Sequence, residues 1–163
     1  MAIYYIDMSM GQGKRIQMGA DLCITKVHKD CFSFDGTLDS VRKGYFRDPY
    51  NDASLFSFIR SNTNYTDLSW WRLRDKKWFN RRKNMTLEGV KEFLSLIKDA
   101  REQIYSLNEF QLLCGIYSER GCIDEGIVSS NCFDTLEYKE WLECLIAFLE
   151  LAIKKKSTIR WSV

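Results

Sequence analysis

The chain has 163 residues, of which 45% are hydrophobic and 28% charged, and its formal net charge is +2. This size suits a single domain with a sizeable core, and the composition excludes an intrinsically disordered chain. So small a charge excess also excludes a protein that is basic all over, so any case for nucleic-acid contact rests on a local patch.

The six cysteines at 23, 31, 114, 122, 132 and 144 form no C-x-x-C pair, and the single histidine is His28. That spacing is a poor zinc signal, so no metal or cofactor is expected. With no apolar leader ahead of them, the cysteines are expected to be free thiols in a reducing cytoplasm. The longest apolar run, Leu145 to Ile153, is broken by Glu150 and is too short for a bilayer core of about 30 Å. No membrane contact is expected.

Along the chain, Ile3 to Ile6 suits a short strand, and Gly11-Gln12-Gly13-Lys14 lacks the spacing of a phosphate loop. From Gly19 to Val27 the text alternates as a strand, with Leu22, Ile24 and Lys26 on one face and Asp21, Cys23, Thr25 and Val27 on the other. Phe32 to Phe34 before Asp35-Gly36 suggests a strand entering a turn. In Gly44 to Asn51, Pro49, the only proline, opposes helix, and Arg47 and Asp48 are expected on a loop. Asn51 or Asp52 is then positioned to cap a helix to about Arg60 that buries Leu55, Phe56 and Ile59.

Trp70 and Trp71 are adjacent, so one ring is expected in the core while the other covers the core edge or stacks on a ligand. Arg72 to Lys83 carries Arg72, Arg74, Lys76, Lys77, Arg81, Arg82 and Lys83 against Asp75 alone, interleaved with Trp78 and Phe79. Such a stretch is either a solvated face or a surface for phosphates and bases. Thr86 caps an amphipathic helix to about Tyr105, with Glu88 in its first turn and apolar positions from Val90 to Ile104. Asn108 to Asn131 is expected to be a loop or short hairpin. Asp134, with Glu137 at the capping-box position, starts a last helix that buries Trp141, Leu142, Leu145, Phe148, Leu149, Ala152 and Ile153 and ends in Lys154 to Lys156. Ile159 to Val163 returns to the sheet as a strand. The expected class is α+β, a single domain with a small mixed or antiparallel sheet packed against two to four helices.

Met18-Gly19-Ala20-Asp21-Leu22, Tyr45-Phe46-Arg47-Asp48 with Tyr50-Asn51, Leu68-Ser69-Trp70-Trp71 and the Leu145 to Leu149 helix together resemble a family of small bacterial and bacteriophage proteins. That family has no assigned activity. The resemblance covers residues 18 to 163 and implies that residues 1 to 17 are an added N-terminal extension. The chain departs from the family in Pro49 and in its basic segment after Trp71. The resemblance also implies a phage or mobile-element setting, with work against host defence.

Three functions fit these residues. The first is non-enzymatic sequestration of a small anionic, nucleotide-type ligand by Asp21, Tyr45, Arg47, Asp48, Tyr50, Asn51, Ser69, Trp70 and Trp71. In that pocket Arg47 clamps phosphate, the aromatic rings stack on a base, and Asp48 and Asn51 read its polar edge. The second is inhibition of a host defence protein, such as a nuclease or CRISPR effector, through Arg72, Arg74, Lys76, Lys77, Trp78, Arg81, Arg82 and Lys83. The third is a small hydrolase that uses Asp21 and Asp48 as paired carboxylates. His28 has no visible partner for nucleophilic catalysis.

Overall fold

The computed structural model describes residues 19–27, 41–49, 54–108, 111–112 and 135–162. Among them, in chain order, are β1 (Gly19–Ile24), β2 (Tyr45–Pro49), α1 (Leu55–Asn62), α2 (Trp70–Leu73), β3 (Asn84–Met85), α3 (Leu87–Tyr105), α4 (Thr135–Lys154) and β4 (Ile159–Ser162). The strands form one antiparallel sheet in the order β2-β1-β4-β3, which with the helices gives an α+β fold. The final strand therefore lies inside the sheet, between β1 and β3.

Strand alternation sorts the sheet into two faces. Ala20, Leu22 and Ile24 of β1, Phe46 of β2 and Ile159 of β4 are all buried on the helix side. Leu22 pairs across the sheet with both Phe46 and Trp161, which carries that apolar row from strand to strand. Asp21 and Cys23 of β1 and Tyr45 and Arg47 of β2 alternate with them and take the opposite face. Beyond the end of β1, Thr25 to Val27 form a turn, so Lys26 is exposed rather than on a strand face as expected. Here the Thr25 hydroxyl is hydrogen-bonded to those of Ser157 (3.0 Å) and Thr158 (2.9 Å), clasping the turn to the entry of β4.

Two further expectations are corrected. Tyr45 to Pro49 is a strand and not a loop: β2 is an edge strand, where proline's missing N–H costs no ladder bond, and the extended bias before proline favours strand. The cap of α1 is Ser54, whose hydroxyl accepts from the Ser57 N–H, in place of Asn51 or Asp52. The Thr86 cap with Glu88 in the first turn of α3, and a long final helix ending in lysine, are as the sequence indicates, although Trp141 and Ile153, expected on the buried face of that helix, are only half-buried at its edge. The expectations for 1 to 17, Phe32 to Phe34, His28, Tyr50, Asn51, Asp134 and most of Asn108 to Asn131 lie outside the described residues.

Helices α3 and α4 pack antiparallel. Arg101 pairs with Glu143 at 2.9 Å, and Lys98, about one turn earlier on α3, pairs with Glu150, two turns later on α4. At the other end of α3, Gly89 sits against the backbone of Trp78, whose carbonyl also accepts the Thr86 N–H at 2.7 Å. A Cβ at position 89 would lie 2.6 Å from both Trp78 Cβ and Trp78 O, and neither atom can swing aside. Gly89→Ala should therefore lower stability by about 1–3 kcal/mol in urea denaturation, although alanine normally favours a helix by about 1 kcal/mol.

The last turn of α4 holds a second backbone test. Lys156 has φ 53°, and the Lys156 and Ser157 N–H groups donate to Ile153 O and Ala152 O, the paired bonds of a left-handed helix stop. Since this conformation suits glycine, Lys156→Gly should raise stability by up to about 1 kcal/mol in the same assay.

Candidate functional site

Ser69 starts α2, its hydroxyl accepting from the Arg72 N–H at 3.1 Å. Successive helical residues point about 100° apart, so this cap decides which indole enters the core. Trp70 is only 2% exposed and stacks on Phe56 at 3.9 Å between ring centroids. Trp71 is 58% exposed. Arg60 secures the approach to α2, donating to Leu68 O at 2.8 Å and to the Ser57 hydroxyl at 2.9 Å.

Asp48 is wholly buried on the helix side of β2. Its carboxylate accepts from the N–H of Leu55 (2.7 Å) and Phe56 (3.2 Å) at the start of α1, and from Trp70 Nε1 (2.8 Å). Burial pushes its carboxyl up to about 6, while the Trp70 and backbone donors hold it from rising further.

Arg47, the preceding residue, points the other way. Its guanidinium donates to both oxygens of Asp21 (2.8 and 3.0 Å), and the Tyr45 hydroxyl donates to the same carboxylate. Arg47 and Asp21 are each 17% exposed, and burial together with the Asp21 bond raises the Tyr45 hydroxyl far above its ordinary value. This trio is an internally matched cluster.

The single recess expected from Arg47, Asp48 and the tandem indoles is thus not assembled. Arg47 and Asp48 lie on opposite faces of one strand, because neighbouring strand residues must. Trp70 has its N–H taken by Asp48. Asp21 and Asp48, likewise on opposite faces, cannot act as a carboxylate pair. Among the described residues no group of three histidine, cysteine, aspartate or glutamate side chains is placed to hold a metal ion. Trp78, expected on a partner surface, is buried, with its Nε1 donating to Glu92 at 3.0 Å.

What the fold does build is a recess of about 710 Å³ on the outer side of α2. Its rings are Trp71, Phe79 and Trp161, and its cations are Arg72, Arg74 and Lys83; Ser69 and Asp75 complete the lining. The guanidinium of Arg74 lies 5.1 Å from the Trp71 ring centroid, and Phe79 meets Trp161 edge-on at 4.9 Å. Ser69 and Trp71 from the expected ligand pocket are therefore joined to Arg72, Arg74 and Lys83 from the expected partner surface. Lys76, Lys77, Arg81 and Arg82 are exposed beyond the recess.

Lys83 reaches the recess from a tight reversal between Phe79 and Asn84. Asn80 organises the turn: its side-chain oxygen accepts from the N–H of Arg82 (2.9 Å) and Asn84 (3.1 Å), and its carbonyl from that of Lys83 (2.9 Å). The turn holds Lys83 at φ 67°, a left-handed conformation that costs a side-chain-bearing residue about 1–2 kcal/mol. Phe79 and Trp161 were not singled out by sequence reasoning as site residues. Trp161 comes to the recess only through the pairing of β4 with β1, 139 positions away at Leu22, and no local signal carries that information.

The raised carboxyl of Asp48 has a consequence for stability. Its folded value of about 6 lies above the ordinary 3.8, so the native state binds this proton more tightly than the unfolded chain does. The resulting stabilisation is complete below about pH 4 and is lost as pH rises through about 6, a difference on the order of 3 kcal/mol. Urea denaturation of wild type and Asp48→Asn across pH 4.5 to 7.5 should show this fall in the wild type and a flatter profile in the variant. Asp48→Ala, which strands three buried N–H groups, should cost at least about 3 kcal/mol at any pH in that range.

Comparison of the chain with protein-family models, with curated proteins and with solved structures gives no match.

Proposed function

We propose that the protein binds, without transforming it, a small anionic ligand that carries a flat ring, of which a nucleotide is the type. The ligand sits in the recess between Trp71 and Lys83. The supporting observation is the exposed Trp71 ring with the Arg74 guanidinium 5.1 Å from its centroid, beside two further cations, Arg72 and Lys83, with Asp75 the one acid in the lining. A base stacks on an indole whatever its edge pattern, and arginine grips phosphate in a forked geometry. A volume of about 710 Å³ falls within the range of about 300–1,000 Å³ usual for small-molecule sites. In the phage or mobile-element setting that the sequence resemblance implies, such binding withdraws a nucleotide signal from a host defence system.

A second function is favoured by one observation. Lys76, Lys77, Arg81 and Arg82 lie outside the recess, all exposed, and no ion pair among the described residues involves them. They form a basic face suited to docking on an acidic surface of a host defence protein or on nucleic acid itself, and docking of that kind is steered by charge and weakened by salt.

Calorimetric titration with GTP, UTP and cyclic dinucleotides separates the two. Ligand capture predicts that Trp71→Ala and Arg74→Ala each weaken binding at least tenfold, whereas Lys98→Ala, at the α3 and α4 contact and not part of the recess lining, leaves it unchanged. Combined neutralisation of Lys76, Lys77, Arg81 and Arg82 then has little effect. No binding of any of these ligands by the wild type, together with salt-sensitive capture of a protein or oligonucleotide that the four neutralisations abolish, supports the basic-face function instead.

A further inference from the structure

Trp161 Nε1 is buried, and among the described residues its N–H has no hydrogen-bond partner. An unmet buried donor forfeits the bond it made with water, and native proteins keep few of them. The contrast with Trp70 and Trp78 is informative: Trp70 donates to Asp48 and Trp78 to Glu92, so the fold supplies carboxylate acceptors for both of these indoles. Trp161 stands among Trp70 (5.2 Å), Phe79 (4.9 Å) and Phe93 (6.0 Å), rings that pack it but offer no oxygen. It is also part of the recess wall.

We infer that the Trp161 N–H is the donor that selects the ring of the ligand: the bound ring presents an acceptor, a ring carbonyl or an unprotonated ring nitrogen, and brings the partner this N–H lacks. The inference rests on the ligand-capture function proposed above and narrows it. Trp71 supplies stacking that any base satisfies, and the cations supply charge that any phosphate satisfies, so neither distinguishes one base from another. A single fixed donor does, because a ring edge with only donors or C–H groups at that point leaves the N–H unmet and adds a clash. Since the nitrogen is covered in the free protein, the acceptor reaches it by displacing a neighbouring side chain at the recess wall.

The test uses the full chain and two probes, GTP, whose base carries O6 and N7 acceptors, and inorganic triphosphate, which has no ring. Trp161→Phe removes the N–H but also shrinks the ring, so a second protein carries 3-benzothienylalanine at position 161, which keeps the two-ring shape and replaces the N–H by sulfur. The expected result is that the benzothienyl protein binds GTP about tenfold more weakly than wild type, binds triphosphate equally well, and melts at the same temperature or higher, because no internal hydrogen bond has been lost. A lower melting temperature for that protein means the N–H is engaged internally, against a ring face, and overturns the inference. Unchanged GTP affinity overturns it while leaving ligand capture standing. Failure of the wild type to bind GTP overturns the inference, and failure to bind UTP and the cyclic dinucleotides as well removes ligand capture with it.

Discussion

The Asp48 carboxylate is the constraint on which the arrangement depends. It reaches from an edge strand into the helical layer and meets three donors there, two from the first turn of α1 and one from the Trp70 indole. A carboxylate so buried is tolerated only because those donors replace its water, and the donors are in turn satisfied by it. Strand β2, helix α1 and helix α2 are thereby fixed to one another at a single point.

The outer recess follows from that attachment. Once Trp70 is turned inward and stacked on Phe56, the helical step carries Trp71 outward, and Ser69, by capping α2, sets the phase of the turn. The basic reversal held by Asn80 then brings Lys83 to the recess, and the last strand brings Trp161. A surface site is thus set by an interior bond, with one tryptophan serving as the anchor and its neighbour as the exposed platform.

Much of the architecture was legible in the sequence because it is written locally. The repeat of Val90, Phe93, Leu94, Ile97 and Ile104, the Thr86 cap and the alternation of Leu22 and Ile24 each need only a few neighbouring residues to be read. The division of labour between Trp70 and Trp71 was legible for the same reason. The candidate site was not, because its membership is decided by pairing at a distance. Taken locally, Pro49 marks a loop, whereas its effect depends on β2 being an edge strand, a fact of sheet order. Placing Arg47 and Asp48 together overlooked that adjacent strand residues face apart. Phe79 stands in the basic aromatic stretch but Trp161 carries no motif, and the two meet only after β3 and β4 have paired.

The position of β4 inside the sheet also bears on how the molecule is made. The clasp between Thr25 and Ser157 joins hydroxyls 132 positions apart, and every β1 to β4 rung spans a comparable stretch. During translation β1 and β2 emerge early and must wait, with one flank of β1 open, until the segment that divides them from β3 leaves the ribosome. Long-range closure of this sort is slow, and an open flank is where strands from other chains add. Until β4 arrives, the flank of β1 that it covers is therefore the part of the nascent chain most open to misassembly.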